Sequence, residues 1–403
     1  SLKKDFLFTI NNYGLMRDYT MPFTHMMNAY LNPFSNNVTN FQLSNTIISF
    51  LIFIIFAIVL KKKNLHINFV DILLISSVFL LLPFFRTSAF WGKQENYGWL
   101  FLIVAFYFFS EIRKNISKNP NNKDILNIVF FCLTSACSLY ARQALFFLPI
   151  TYLLYLFLNN ANKKIIIISI ISFAIFSIPG FLLMWTWGSI FQEIPGSQPW
   201  GSFFGGWINY NNILKNLPII LSFFSFYLLP FMVIEILNSG FKFFFYRYFK
   251  SFFCALIILI FLSQINLLNY LGNYYHGGGA VLKINYLMQK NNFLLLLIFS
   301  SLGFSILVRF FKEDPRNSLL ILLPVIIIYG LPNLLAQEYV EPLILIIFFL
   351  YLKTDLHKIY FKNISLSHFI FISYFAIYLL GSIYFKHYAF SSYEEWKIFL
   401  NVQ

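Results

Sequence analysis

The chain has 403 residues, 59% of them hydrophobic types and 11% charged, against roughly 45–50% apolar and about 25% charged in soluble domains. Phe alone occurs 54 times, beside 25 Tyr and 7 Trp, far more aromatic surface than water tolerates, so a soluble enzyme is excluded and so is a disordered chain. The net charge of +14 comes from 29 Lys+Arg against 15 Asp+Glu; in a soluble protein this would point to nucleic acid. Here most basic residues sit in short loops between apolar runs, where they set topology against an anionic leaflet and no nucleic-acid partner is expected. The class these numbers leave is an all-α polytopic membrane protein.

Residues 1–43 hold neither a signal peptide nor a run able to cross about 30 Å of hydrocarbon. Within them Thr20 suits an N-cap and Pro22 a first turn, and Phe23, Met26, Met27, Tyr30 and Leu31 recur at helical spacing. This predicts a short amphipathic helix lying in the outer interface, with Thr24, His25, Asn28 and Asn32 on its polar side. Twelve apolar runs follow, at approximately 44–60, 69–85, 97–110, 125–139, 144–158, 165–185, 216–237, 251–269, 292–308, 317–335, 340–352 and 366–385. The expected organisation is therefore an external segment 1–43, a transmembrane domain 44–385 of about 12 helices, and an external tail 386–403. Cys132, Cys137 and Cys254 all lie in apolar runs and outline neither a disulfide framework nor a metal site.

Alternate loops divide the basic residues unequally. The set 61–68, 111–124, 159–164, 238–250, 309–316 and 353–365 carries 18 Lys+Arg, and everything else carries the remaining 11. The positive-inside rule makes the first set cytoplasmic and puts both termini and the longer, chemically varied loops outside. A catalytic or binding surface is expected on that outer face of a multi-pass protein of the bacterial inner membrane or endoplasmic reticulum.

Ionisable groups at a membrane boundary are costly and by default functional. In chain order the outer candidates begin with Asp18, just before the short helix, and His25 on it. Arg86 and Glu95 share the stretch 86–96, expected to be a loop, with Trp91 as an aromatic-belt residue. Arg142 and Gln143 stand where about four residues separate two apolar runs. The guanidinium there sits at membrane depth or snorkels, and its planar fork of donors suits a phosphate or diphosphate. The 186–215 loop, with Trp187, Trp200 and Trp207, reads as a lid or re-entrant segment. Three glycines follow His276, letting backbone amides approach an anion, and Lys283 comes seven residues on. Glu338 and Glu341 stand at the mouth of the 340–352 run and share a face if that segment is helical. No metal constellation is present; His66 and His357 fall on the cytoplasmic side.

These features, in this order, resemble the GT-C class of polytopic glycosyltransferases, and most nearly the dolichyl-phosphate-glucose α-1,2-glucosyltransferase family. Asp18-Tyr-Thr-Met-Pro-Phe-Thr-His-Met-Met resembles the segment Asp-x-x-x-Thr-x-Pro-x-x-Tyr that ends that family's first external loop. Tyr140-Ala-Arg-Gln resembles its Arg-Gln-Thr-Asn motif, with Ala144 and Leu145 replacing Thr and Asn. Gly272-Asn-Tyr-Tyr-His276, followed by Asn285-Tyr-Leu, resembles its Gly-Asp-x-x-x-His loop and the start of the next span. Pro332 through Pro342 is similar to its late Arg-Tyr-x-x-x-Pro segment, with Gln337-Glu338-Tyr339 in place of Arg-Tyr.

The resemblance implies sugar transfer at the outer face, from a polyprenyl-phosphate sugar to a hydroxyl of a lipid-linked or surface glycan, with membrane lipid as the surrounding partner. Arg142, with Gln143, His276 and Lys283, would stabilise the departing phosphate more in the transition state than in the ground state. Asp18, and next Glu95, would accept the acceptor's proton, and no metal or other cofactor is called for. Family members begin with a span and an acidic pair, and this sequence is expected to start just after that pair. A surface-polysaccharide polymerase or ligase and a lipid-linked-sugar transporter are the competing classes. The transporter should show internal repeats and broken helices.

Overall fold

In a computed structural model of the chain the described residues are 5–13, 21–188, 211–264, 280–281, 284, 294–332, 335 and 337–388. They are helical almost throughout. In chain order the elements are α1 (Phe6–Asn11), α2 (Phe23–Met26) continuing as a π turn (Met27–Leu31), α3 (Val38–Lys63), α4 (Phe69–Ser76) continuing as a 3-10 turn (Ser77–Leu81), α5 (Pro83–Trp91), α6 (Gln94–Ile112) and α7 (Asn122–Ala141). After a 3-10 turn (Gln143–Phe146) come α8 (Phe147–Leu158), α9 (Lys163–Trp187), α10 (Asn211–Ser239) and α11 (Phe241–Gln264). The last are α12 (Leu294–Glu313), α13 (Pro315–Gly330), α14 (Glu341–Ile346) with a π turn (Ile347–Tyr351), α15 (Asp355–Lys362) and α16 (Ile364–Tyr388).

Among the described residues seven helices are long and apolar enough to cross a membrane, and the bent pair Phe69–Leu81 and Pro83–Trp91 makes an eighth if it counts as one span. This is the composition of an integral, multi-pass membrane protein. Local chemistry sets the helix ends. Asn68 and Asn162 accept from amides in the first turns of α4 and α9, and Asn121 with Asp124 forms a capping box on α7. Gly188, at φ +67°, closes α9 in a left-handed conformation.

The 69–85 run is not one straight span. Leu82 is extended, as the residue before a proline prefers to be, and Pro83 opens a new helix at 71° to the old one. The stretch 86–96, expected to be a loop, is consequently helical on both sides of a short turn at Gly92 and Lys93. Glu338 and Glu341 do not share a helix either: Glu338 lies in a 3-10 turn, Gln337–Tyr339, and α14 starts only at Glu341.

The chain divides into two compact units, residues 1–63 with 87–208 and residues 64–86 with 209–403. In the first, α6 packs against α3 and α7, and α7 against α9, around buried Trp99, Phe109, Phe131 and Tyr152. The Phe131 and Tyr152 rings lie 4.1 Å apart between centroids. The segment 23–31 is tied in by its polar side: Thr24, Asn28 and Asn32 are buried while Tyr30 and Leu31 are exposed. Tyr97 donates toward Asn28 Oδ1 at 2.9 Å and Asn45 Oδ1 at 3.1 Å, and Asn32 Nδ2 donates to Ser44 Oγ at 2.8 Å. Amides and hydroxyls thus bind this segment to α3 and α6, and Tyr30 and Leu31 face outward.

In the second unit α10 is the central helix, touching α12, α13, α15 and α16. Two features bring its neighbours close. Ser300 Oγ donates to the Pro218 carbonyl at 2.6 Å, and Gly303 lies so near α10 that an added Cβ would stand 1.9 Å from the Leu221 carbonyl oxygen. This is the small-residue packing that lets membrane helices approach backbone to backbone. At the other end of α13, Asn216 Nδ2 donates to the Gly330 and Pro332 carbonyls at 2.9 and 2.7 Å, satisfying acceptors that a helix C-terminus leaves open.

Gly303→Ala should therefore force α10 and α12 apart and lower stability by about 1–3 kcal/mol, the usual range for overpacking. Gly381→Ala, where a Cβ meets nothing within 4 Å, should be neutral or mildly stabilising. Thermal unfolding of the two variants in detergent checks both; equal midpoints would contradict the close approach.

Candidate functional site

Helix α7 ends at Arg142, whose backbone turns extended at φ −155°, and the 3-10 turn that begins α8 starts at once with Gln143. The two apolar runs are thus joined at the arginine itself. Arg142 is 7% exposed, and its guanidinium lies over the Trp99 ring, 4.8 Å from the centroid. A stack of this kind engages the flat face of the fork and leaves hydrogen bonding to its edge. Gly98 makes the approach feasible, since a Cβ there would meet Arg142 Cβ and Leu145 Cδ1 at 3.2 Å. Beside it Gln143 Nε2 is buried with no hydrogen-bond partner among the described residues.

Tyr140, one residue inside α7, fixes this end of the helix. Its hydroxyl donates to the Phe176 carbonyl at 2.5 Å and accepts from the Gly180 amide at 3.2 Å. Phe176 and Gly180 are an i, i+4 pair of α9 on either side of Pro179, so the phenol stands in the ladder where a proline has disturbed it. Phe23 of α2 packs on the Tyr140 and Phe101 rings, at 6.1 and 5.8 Å. Tyr13 stacks on Trp187 at the end of α9, at 6.0 Å, and meets His25 edge-on at 5.9 Å.

Of the residues predicted from sequence, the first unit brings His25, Glu95, Arg142 and Gln143 onto elements that touch. Glu95 is in the first turn of α6, one turn before Trp99 and on the same helical face. Arg86, Glu338 and Glu341 belong to the second unit, where Arg86 is exposed. Asp18, His276 and Lys283 lie outside the described residues, as do 189–210 of the long loop and the tail beyond Tyr388.

Glu341 has a different occupation from the one its position at a span mouth implied. Its Oε1 accepts from the Phe84 and Phe85 amides at 2.9 and 3.1 Å, and its Oε2 from the Tyr227 and Tyr378 hydroxyls at 3.0 and 2.7 Å. All four acceptor positions of the carboxylate are filled by the protein. Two of the donors are first-turn amides of α5, which no intrahelical partner can serve. Gln337 Nε2 donates to both tyrosines, at 2.9 Å to Tyr378 and closer to Tyr227. Glu341 is the anchor of the broken span.

Sequence reasoning missed a second charged cluster. Glu235 and Arg309 are 1% and 4% exposed and directly paired, and Tyr248 bonds both. Arg309 Nε reaches Glu313 at 2.6 Å, while Arg247 lies 3.4 Å from Glu235 and 3.5 Å from Glu313. The Asp355 amide donates to Glu313 at 2.9 Å, and Lys358, 3.0 Å from Asp355, holds that carboxyl below its usual range. Nearby in sequence to this cluster, His368 is held between Tyr360 and Asp71 at 2.8 and 3.1 Å. The available signal was Glu235, a lone acid inside the 216–237 run, followed by Arg309 bordering the 292–308 run. Both ends of this pair fall in helices leading to basic loops, which the positive-inside rule puts on the side opposite the expected outer surface.

No protein-family model, curated protein or solved structure gives a significant match to this chain.

Removing Glu341 strands four donors, so Glu341→Ala should destabilise the protein, at about 1–3 kcal/mol for each donor left buried and unmet, more than Glu338→Ala does. Arg309→Met leaves Glu235 buried without its main partner and should cost about 3–5 kcal/mol, whereas the double change Glu235→Leu with Arg309→Met recovers much of it. Unfolding midpoints of the four variants decide both points. Because the Asp355 carboxyl is held low, its contribution is complete above about pH 4 and fades as pH falls through its folded value. Asp355→Asn should flatten that part of an acid titration.

Proposed function

We propose that the protein is a membrane glycosyltransferase, a hexosyltransferase of GT-C type, that moves a sugar from a polyprenyl-phosphate donor to a lipid-linked or surface glycan on the external face. The observation that carries this reading is Arg142, set in a buried turn between two apolar helices with its guanidinium on the Trp99 ring. A phosphate is the ligand whose geometry matches the edge of such a fork, and its charge grows as the sugar leaves. Gln143 supplies a buried amide donor alongside. Glu95 approaches the same face of α6 and takes the acceptor's proton together with, or in place of, Asp18; His276 and Lys283 complete the phosphate subsite. About twelve spans, with the basic loops cytoplasmic, set these groups on the outer side.

A second reading, a lipid-linked-sugar transporter, is favoured by one observation: the 71° break between α4 and α5 with the acid Glu341 at the new helix start. Broken helices with a charge at the break are common in transporters. A transporter would move a polyprenyl-phosphate sugar across a proteoliposome without changing it.

Transfer of labelled hexose from a panel of polyprenyl-phosphate hexoses tests the first reading. Arg142→Lys keeps the charge and loses the bidentate edge, so most transfer should disappear while expression and unfolding midpoint stay near wild type. Near-wild-type transfer in Arg142→Lys would return the residue to a structural role. Sidedness has its own check: single cysteines at Asn37 and Asn119, both exposed, should be labelled from opposite faces, Asn37 from outside.

A further inference from the structure

The proline in α9 and the tyrosine before Arg142 form one device. Proline has no amide hydrogen, so Pro179 leaves the Ile175 carbonyl without its helical donor and crowds the turn before it. The next rung of the ladder joins the Gly180 amide to the Phe176 carbonyl, and those are the two groups that the Tyr140 hydroxyl bridges, at 3.2 and 2.5 Å. The fit is tight: a Cβ on residue 180 would lie 2.8 Å from Tyr140 Cε1. The ring is held on another side by Phe23. Two residues later the backbone leaves the helix at Arg142, so the last turn of α7, from which the arginine departs over Trp99, is tied to α9 by the Tyr140 hydroxyl.

We propose that Tyr140 is the positioning residue for Arg142: by seating its hydroxyl in the Pro179 interruption of α9 it sets the guanidinium for a phosphate of a prenyl-linked ligand. This rests on the reading of Arg142 as the donor-phosphate ligand. Tyr140 does not touch the phosphate. A change in α9 at Pro179 therefore acts on phosphate recognition without altering any residue of the phosphate subsite.

The test compares affinity for geranyl phosphate with affinity for geraniol in the full chain, because only the first presents a group for Arg142. Tyr140→Phe loses one hydrogen-bonded hydroxyl, and the phosphate-to-alcohol affinity ratio should fall about three- to tenfold with geraniol binding unchanged. Pro179→Ala restores the amide hydrogen and lets the 176–180 rung close by itself, displacing the phenol. It should lower the ratio to the same extent, and Tyr140→Phe added to it should do nothing more. Gly180→Ala, which crowds the ring out while Tyr140 remains, serves as the second variant. Hydrogen exchange over residues 176–182 should rise in Tyr140→Phe, which reads the wedge without any ligand.

Equal losses for geranyl phosphate and geraniol would overturn the proposal in favour of general damage. Additive effects of Tyr140→Phe and Pro179→Ala would overturn it as well. If Arg142→Ala abolishes the phosphate preference and Tyr140→Phe leaves it intact, the positioning role fails while the functional reading stands. If Arg142→Ala itself keeps the preference, the functional reading fails, and the positioning role with it.

Discussion

A helix in apolar surroundings can be interrupted only where something else meets its backbone groups, and among the described residues several joints show this constraint. Pro83 opens a helix whose first amides have no carbonyl to reach, and the Glu341 carboxylate accepts them. Pro179 disturbs a rung that the Tyr140 hydroxyl bridges. The carbonyls at the end of α13 receive the amide of Asn216, and the Pro218 carbonyl receives Ser300. In each case the partner comes from a different helix. The interruptions therefore serve as the joints by which helices are tied together, and a membrane protein with weak hydrophobic drive between its helices gains its specific packing from them.

The same constraint separates two kinds of polar residue. Glu341 and Tyr97 sit deep and are bonded by the protein's own groups, so they stabilise one arrangement. Arg142 lays the face of its guanidinium on Trp99, which orients the fork at the junction of α7 and α8. Depth in the apolar layer is thus a poor guide to function taken alone.

Helical class and the position of the apolar runs were legible in composition and run length, because those depend on summed hydrophobicity alone. The junction at Arg142 was legible too: about four residues between two runs leave room for nothing longer than a turn. The break at Leu82–Pro83 was missed although proline marks it, since the run remains apolar across it and hydropathy does not see direction. The partners of Glu341, namely Phe84, Phe85, Tyr227 and Tyr378, are far away in sequence, and only their convergence shows its bonding. The polar side of segment 23–31 was visible at helical spacing; that it turns inward, to Ser44 and Tyr97, depends on side chains that no local pattern links to it.

The pairing of Glu235 with Arg309 has a consequence for how the chain is made. The two residues are 74 positions apart, on α10 and α12, and each is costly to leave alone in hydrocarbon. While α10 is being synthesised its acid has no counterion; Arg247 of α11 is the first to follow, 3.4 Å from Glu235 in the folded protein, and the buried partner Arg309 comes with α12. Integration of this half of the protein is thereby coupled across α10, α11 and α12, because the charge carried by the first is met by arginines of the other two.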